Sequence, residues 1–122
     1  MKRILVVGAC GYLGAQISKY LAENGCRVTA FCRSCPQDKS WKSLMDEIIT
    51  GDIRDESTIK RLTQENFYAV IYLISLDHHQ SEQQSASVVS SINVLPLWNL
   101  MEAFSTRNVE MFIYFSTIQV YG

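Results

Sequence analysis

Apolar positions in this chain follow two rhythms that alternate from the N-terminus onward. Continuous runs of strand length, Ile4-Leu5-Val6-Val7, Val28-Thr29-Ala30-Phe31-Cys32 and Val70-Ile71-Tyr72-Leu73-Ile74, are flanked by glycine or polar residues. After the first run, apolar residues recur every four positions, at Leu13, Ile17 and Leu21, the spacing of one helix face. On this pattern strands are predicted at 3–8, 27–32, 47–50, 69–75 and 110–116, and helices at 12–24, 56–65 and 82–105. Residues 33–46, with Pro36 and mixed polar side chains, read as loop or a short helix. Asn24-Gly25 stops the first helix, the glycine being suited to a left-handed C′ position. Pro96 falls inside the last helical pattern and is expected to kink or split it. Strands that are apolar on both faces belong in a parallel sheet with helices on each side. Alternating strands and helices then give a doubly wound α/β fold, and right-handed crossovers set a strand order of 3-2-1-4-5.

The junction between the first strand and first helix carries the sharpest chemical signal. The strand stops at Gly8, and Gly11 and Gly14 follow in a Gly-x-x-Gly-x-x-Gly spacing. Each glycine serves a separate mechanical purpose. The first allows a sharp turn off the strand, the second the close approach of a pyrophosphate to bare backbone, and the third the close packing of helix on strand. The helix N-terminus adds free N–H groups and partial positive charge. Gly8, Gly11 and Gly14, with the backbone at Tyr12 and Leu13, are therefore expected to hold the pyrophosphate of a dinucleotide. Cys10 lies beside the turn with packing as its expected role, and Asp55 is expected to cap the helix that begins at Glu56.

Composition narrows the picture further. At 122 residues the chain is expected to be a single domain, 1–122. Its formal net charge is −1 and no basic stripe appears, so no nucleic-acid partner is expected. The apolar runs are too short to span a membrane, and Met1-Lys2-Arg3 leads straight into a strand, so neither a membrane nor a leader peptide is expected. Four cysteines without a disulfide-like framework fit a reducing cytoplasm. Cys32-Arg33-Ser34-Cys35 is a Cys-x-x-Cys, but it starts inside a strand rather than at a helix N-terminus, where a redox pair gains its reactivity. A zinc site would need a second such pair, and His78-His79 stands in a Ser- and Gln-rich stretch that reads as a solvated loop.

Five blocks in order extend the glycine signal. Gly8 to Gly14 is followed by Gly51-Asp52-Ile53-Arg54-Asp55, by Val70-Ile71-Tyr72-Leu73-Ile74-Ser75, by Asn93-Val94 with Asn99-Leu100-Met101-Glu102-Ala103, and by Phe115-Ser116-Thr117-Ile118-Gln119-Val120-Tyr121-Gly122. Together they resemble the extended short-chain dehydrogenases/reductases, the NAD-dependent epimerases/dehydratases, along almost the whole chain. The resemblance implies a Rossmann fold that binds NAD or NADP. It implies that Asp52 and the backbone of Ile53 meet adenine. Leu73, Ile74 and Ser75 would line the ribose–nicotinamide stretch, with Ile74 bulkier than the family's usual small residue. Ser116 would stand near the nicotinamide, and Thr117 would polarise a substrate hydroxyl or carbonyl. Tyr121 would be structural. At the end of the second strand Cys32 stands where the family's acidic residue takes the ribose 2′-OH, and Arg33 follows it. An arginine there attracts a 2′-phosphate, so NADP is preferred to NAD. The plainer readings are a solvated Arg33, or one stacked on the adenine of either cofactor.

The resemblance also marks a departure. The family's base is the tyrosine of a Tyr-x-x-x-Lys motif downstream of Val-Tyr-Gly, where lysine lowers the tyrosine pKa. Within these 122 residues no tyrosine has a lysine four positions on; Tyr12 is followed by Gln16 and Tyr20 by Asn24. The expectation is therefore the N-terminal, cofactor-binding portion of a longer nucleotide-sugar epimerase, dehydratase or reductase, binding dinucleotide without turnover. A small-molecule substrate, a sugar nucleotide, would belong to the full-length protein. A non-enzymatic NADP-sensing regulator and a Rossmann-fold protein-interaction module stand as alternatives. The last strand, apolar and uncharged after Glu110, is expected to leave an open edge and favour a homo-oligomer.

Overall fold

The computed structural model describes residues 1–34, 36–74 and 95–115. In chain order the elements are β1 (Arg3–Val7), α1 (Tyr12–Glu23), β2 (Arg27–Cys32), α2 (Lys39–Leu44), β3 (Glu47–Thr50), α3 (Glu56–Leu62), β4 (Ala69–Tyr72), α4 (Leu95–Phe104) and β5 (Met111–Tyr114). The strands form one five-stranded parallel sheet in the order β3-β2-β1-β4-β5. This is the doubly wound, Rossmann-like arrangement that the alternating pattern requires.

β1 sits at the centre because it can be buried on both faces. Leu5 and Val7 point to one layer with Phe31, Val70 and Tyr72, beneath Leu62 of α3 and Leu100 and Phe104 of α4. Ile4 and Val6 point to the other, with Val28, Ala30 and Ile71, beneath Ile17 and Leu21 of α1 and Trp41 of α2. Val7 pairs with Phe31 on one side and Tyr72 on the other, so β1, β2 and β4 end level with one another. The chain leaves all three at the same edge of the sheet, which is where the candidate site residues collect.

Several boundaries differ from the sequence reading. The strands predicted at 3–8 and 110–116 end at Val7 and Tyr114, and the helix predicted at 56–65 ends at Leu62, where Thr63 turns its hydroxyl back to the Ile59 carbonyl at 2.9 Å. The segment 33–46 contains α2. In α1 the deepest positions are Gly14 and Ser18, while Leu13 is 46% exposed. Two small residues one turn apart let the helix lie close to the sheet, and the Ser18 hydroxyl is satisfied by the Gly14 carbonyl at 2.7 Å. Pro96 lies, buried, in the first turn of the described part of α4. The predicted helix 82–94 and any bend preceding Leu95 lie outside the described residues. No helix among the described residues is long and apolar enough to cross a membrane.

Candidate functional site

The glycine turn is suspended between three strand ends. Its Gly8 and Ala9 N–H groups both donate to the Phe31 carbonyl of β2, at 3.0 and 3.1 Å. On the β4 side the Leu73 N–H donates to the Val7 carbonyl at 2.9 Å, and Ile74 packs against Gly8. Gly8 has φ +95°, a conformation side-chain-bearing residues rarely adopt. At Gly14 a Cβ would run into the Gly8 carbonyl and the Ala9 backbone, so helix and turn can meet only through a glycine. Gly11 is different. Its φ of −69° suits any residue, and a Cβ there would meet only the Gly8 oxygen at 3.6 Å. Nothing within the described chain requires glycine at position 11.

α1 starts directly behind this opening. Gly11 holds the N-cap position and brings no side chain to satisfy the first N–H groups. The first helical bond runs from Ala15 N–H to the Gly11 carbonyl at 2.8 Å, leaving Tyr12, Leu13 and Gly14 in the open first turn. Tyr12 is 85% exposed, so its side chain does not cover those groups. The first turn carries no acidic side chain to neutralise its partial charge.

The second and third strands bring up the other candidates. Arg33 is exposed just past β2. Asp52 lies just past β3, and its carboxylate is gripped by Arg54: Nε donates at 3.0 and 3.2 Å, Nη2 at 2.7 Å, and the Arg54 backbone N–H at 2.9 Å. These bonds, chiefly the guanidinium, hold the Asp52 pKa down at about 2, and the charge of Arg33 pushes the same way. Sequence reasoning missed Arg54, although its place two residues after an aspartate is the ordinary form of an Asx turn. Ile53 is buried in the core, so only its backbone is available to a ligand. Leu73 and Ile74 are half-buried at the end of β4. Ser75, Ser116, Thr117, Tyr121, His78, His79 and Cys35 lie outside the described residues. Asp55 does stand at the N-cap of α3, but its side chain makes no capping hydrogen bond.

One expectation is overturned outright. The sequence suggests unpaired cysteines, with Cys10 simply packing; instead Cys10 and Cys32 form a disulfide, their Cα atoms 5.6 Å apart. The link joins the glycine turn to the end of β2. Its signal is present in the sequence: a cysteine at or just past the end of each of two strands that the 2-1 order makes neighbours. The inference from unpaired cysteines to a reducing compartment loses its footing. Cys26 is a free thiol at the opposite end of β2. Among the described residues no group of three or more His, Cys, Asp or Glu side chains could hold a metal ion.

A turn that offers bare backbone and an open helix end, with an acidic residue beyond the third strand, defines a Rossmann-type dinucleotide fold. The family model for the NAD dependent epimerase/dehydratase family matches residues 4–122, and the chain belongs to that family. Short-chain dehydrogenase/reductase family 42E member 1 of Mus musculus is 26% identical over 119 residues, covering 96% of this chain and 30% of that protein. ADP-L-glycero-D-manno-heptose-6-epimerase of Helicobacter pylori superposes with a TM-score of 0.83 at 21% identity, over 99% of this chain and 41% of its own. MoeE5, solved with UDP-glucuronic acid and NAD, gives 0.81 at 27% identity, over 98% and 38%. The chain spans between 19% and 33% of the length of three curated relatives it matches.

Proposed function

We propose that this chain is the dinucleotide-binding portion of a nicotinamide-dependent epimerase, dehydratase or reductase whose substrate is a sugar nucleotide. The observation that carries the reading is Gly11, a glycine that the fold leaves unexplained at the mouth of an uncapped helix. Family membership and the NAD and sugar nucleotide of the MoeE5 structure support the same assignment. When bound, the nicotinamide supplies a site that accepts and returns hydride.

Different residues meet different parts of the cofactor. The backbone of Gly11, Tyr12, Leu13 and Gly14 receives the pyrophosphate, and the α1 N-terminus offsets its charge. Asp52, fixed as a carboxylate by Arg54, accepts from the adenine amino group through its remaining lone pairs, with the Ile53 backbone beside it. Leu73, Ile74 and Ser75 flank the ribose–nicotinamide stretch, and Ser116 the nicotinamide itself. Arg33 favours a 2′-phosphate, and hence NADP. Thr117 orients a substrate hydroxyl but is no base at neutral pH, and these 122 residues hold no Tyr-x-x-x-Lys. The purified chain is expected to bind dinucleotide without turning over a sugar nucleotide.

Calorimetry with NAD and NADP tests the assignment. Gly11→Val should abolish binding by filling the pyrophosphate approach, and equal affinity of wild type and variant would overturn the reading. Arg33→Ala should weaken NADP more than NAD, by roughly tenfold or more for a charge-assisted contact. Tighter wild-type binding of NAD would sink the NADP preference while leaving the site intact.

A further inference from the structure

We propose that Cys10 and Cys32 are a reversible dithiol/disulfide pair set across the adenosine-ribose site, and that its oxidation by a small disulfide shuts out the dinucleotide. The proposal rests on the dinucleotide reading above. Its own ground is the placement of the bond. Cys10 belongs to the turn between Gly8 and Gly11, and Cys32 is the last residue of β2. In this fold the end of the second strand normally carries a carboxylate that takes a ribose hydroxyl. Here that place is held by a sulfur bonded to the turn which receives the pyrophosphate. The bridge thus spans the gap between the two groups that ribose and phosphate would contact together. With the pair reduced, the two sulfurs are free to part, while the Gly8 and Ala9 N–H bonds to Phe31 and the packing of Ala9 still hold the base of the turn to β2.

The exposure of the two residues assigns their order of reaction. Cys10 is exposed, its sulfur 3.8 Å from the Ser34 carbonyl oxygen, whereas Cys32 is 1% exposed. Only Cys10 can meet an incoming reagent. Its thiolate attacks one sulfur of a low-molecular-weight disulfide such as oxidised glutathione, forming a mixed disulfide and releasing one thiol. Cys32 then loses its proton and attacks the Cys10 sulfur, closing the bridge and releasing the second thiol. The protein gives up two electrons and two protons, and the small disulfide takes them up as two thiols. Excess small thiol drives the sequence backwards.

The test uses the whole chain, poised with reduced or oxidised glutathione, with disulfides mapped by mass spectrometry and NAD and NADP affinity measured on each form. The expected map links Cys10 to Cys32. The expected oxidised form binds dinucleotide about tenfold more weakly or worse, because the bridge fills the gap that ribose and phosphate would share. Saturating dinucleotide should in turn slow oxidation of the pair, because linkage between two sites is reciprocal. Cys10→Ser should bind with an affinity indifferent to oxidant, while Cys26→Ser keeps the response. A map that joins Cys32 to Cys35, or finds no bond, overturns the proposal. So does equal affinity of the oxidised and reduced wild type. A reduced protein that binds neither nucleotide, despite a correctly mapped pair, overturns the dinucleotide reading and the switch with it; a reduced protein that binds but ignores oxidation overturns the switch alone.

Discussion

A methyl group added at Gly14 would meet the backbone of Gly8 and Ala9, whereas one added at Gly11 would have room. Gly14→Ala gains up to about 1 kcal/mol in helix propensity, but a clash with fixed backbone costs about 1–3 kcal/mol, so net destabilisation is expected in chemical denaturation. Gly11→Ser should leave unfolding within about 0.5 kcal/mol of wild type, since serine is as good an N-cap as glycine or better. The pair separates a glycine that the fold needs from one that it does not. Asp52 gives a second prediction at this scale. Its folded pKa of about 2 lies below its ordinary 3.8, so its contribution to stability is fully present above pH 3.8 and is lost as pH falls through 2. Asp52 therefore stays ionised, paired with Arg54, across the neutral range. In Arg54→Ala the Asp52 value should climb back toward 3.8 in an NMR titration; an unchanged midpoint would show that Arg54 is not the cause. Gly8 and Gly14 are legible in the sequence because their spacing reports the sharp turn and the close helix contact that the backbone makes there. Arg54's grip and the Cys10–Cys32 bond are not, because each depends on which side chains two loops bring face to face.

α2 is the element that the periodicity leaves as loop or a short helix. Six residues give too few turns for an apolar rhythm to show. What makes the helix is its cap: the Asp38 carboxylate accepts from the Ser40 and Trp41 N–H groups at 3.0 and 3.2 Å. The Ser40 hydroxyl, which also donates to this carboxylate at 2.7 Å, and the two N–H groups hold the Asp38 pKa below its usual range. Trp41 is then buried and donates from Nε1 to the Ala15 carbonyl of α1 at 3.1 Å. The cap thereby anchors the first turn of α1, the helix that follows the glycine turn. Asp38→Ala should lower the melting temperature by roughly 4–8 °C, the effect of losing one helix cap in a domain near this size. Asp38→Asn should restore most of it, and a variant pair with identical melting curves would refute the capping role. Asp55, expected from sequence to be a cap of the same kind, holds the position without making the bond. Residue type fixes where a helix starts more surely than it fixes which side chain closes the end.

At the scale of the whole molecule the alternating pattern carries the architecture: a parallel sheet in 3-2-1-4-5 order follows from strand hydrophobicity and crossover handedness without any tertiary information. It also exposes the sheet's weak border. β5 bonds to β4 along one side, and among the described residues no strand pairs with the other. Met111, Ile113, Tyr114 and Phe115 are exposed there, and Trp98 and Met101 are exposed on α4. An apolar edge of this kind invites pairing with another copy. Light scattering on the unmodified chain should show apparent mass rising with concentration into the high micromolar range, and a constant monomer mass would count against it. The central place of β1 has the opposite effect. Its amide and carbonyl groups are bonded on both sides, to β2 and β4, while β3 and β5 each have one bonded neighbour among the described residues. Breathing of the sheet proceeds from its borders, and the strands most deeply enclosed exchange their amide hydrogens last. The glycine turn grows out of β1, so its bare backbone groups are tethered to the slowest-exchanging part of the chain and keep their places while the margins of the sheet open and close around them.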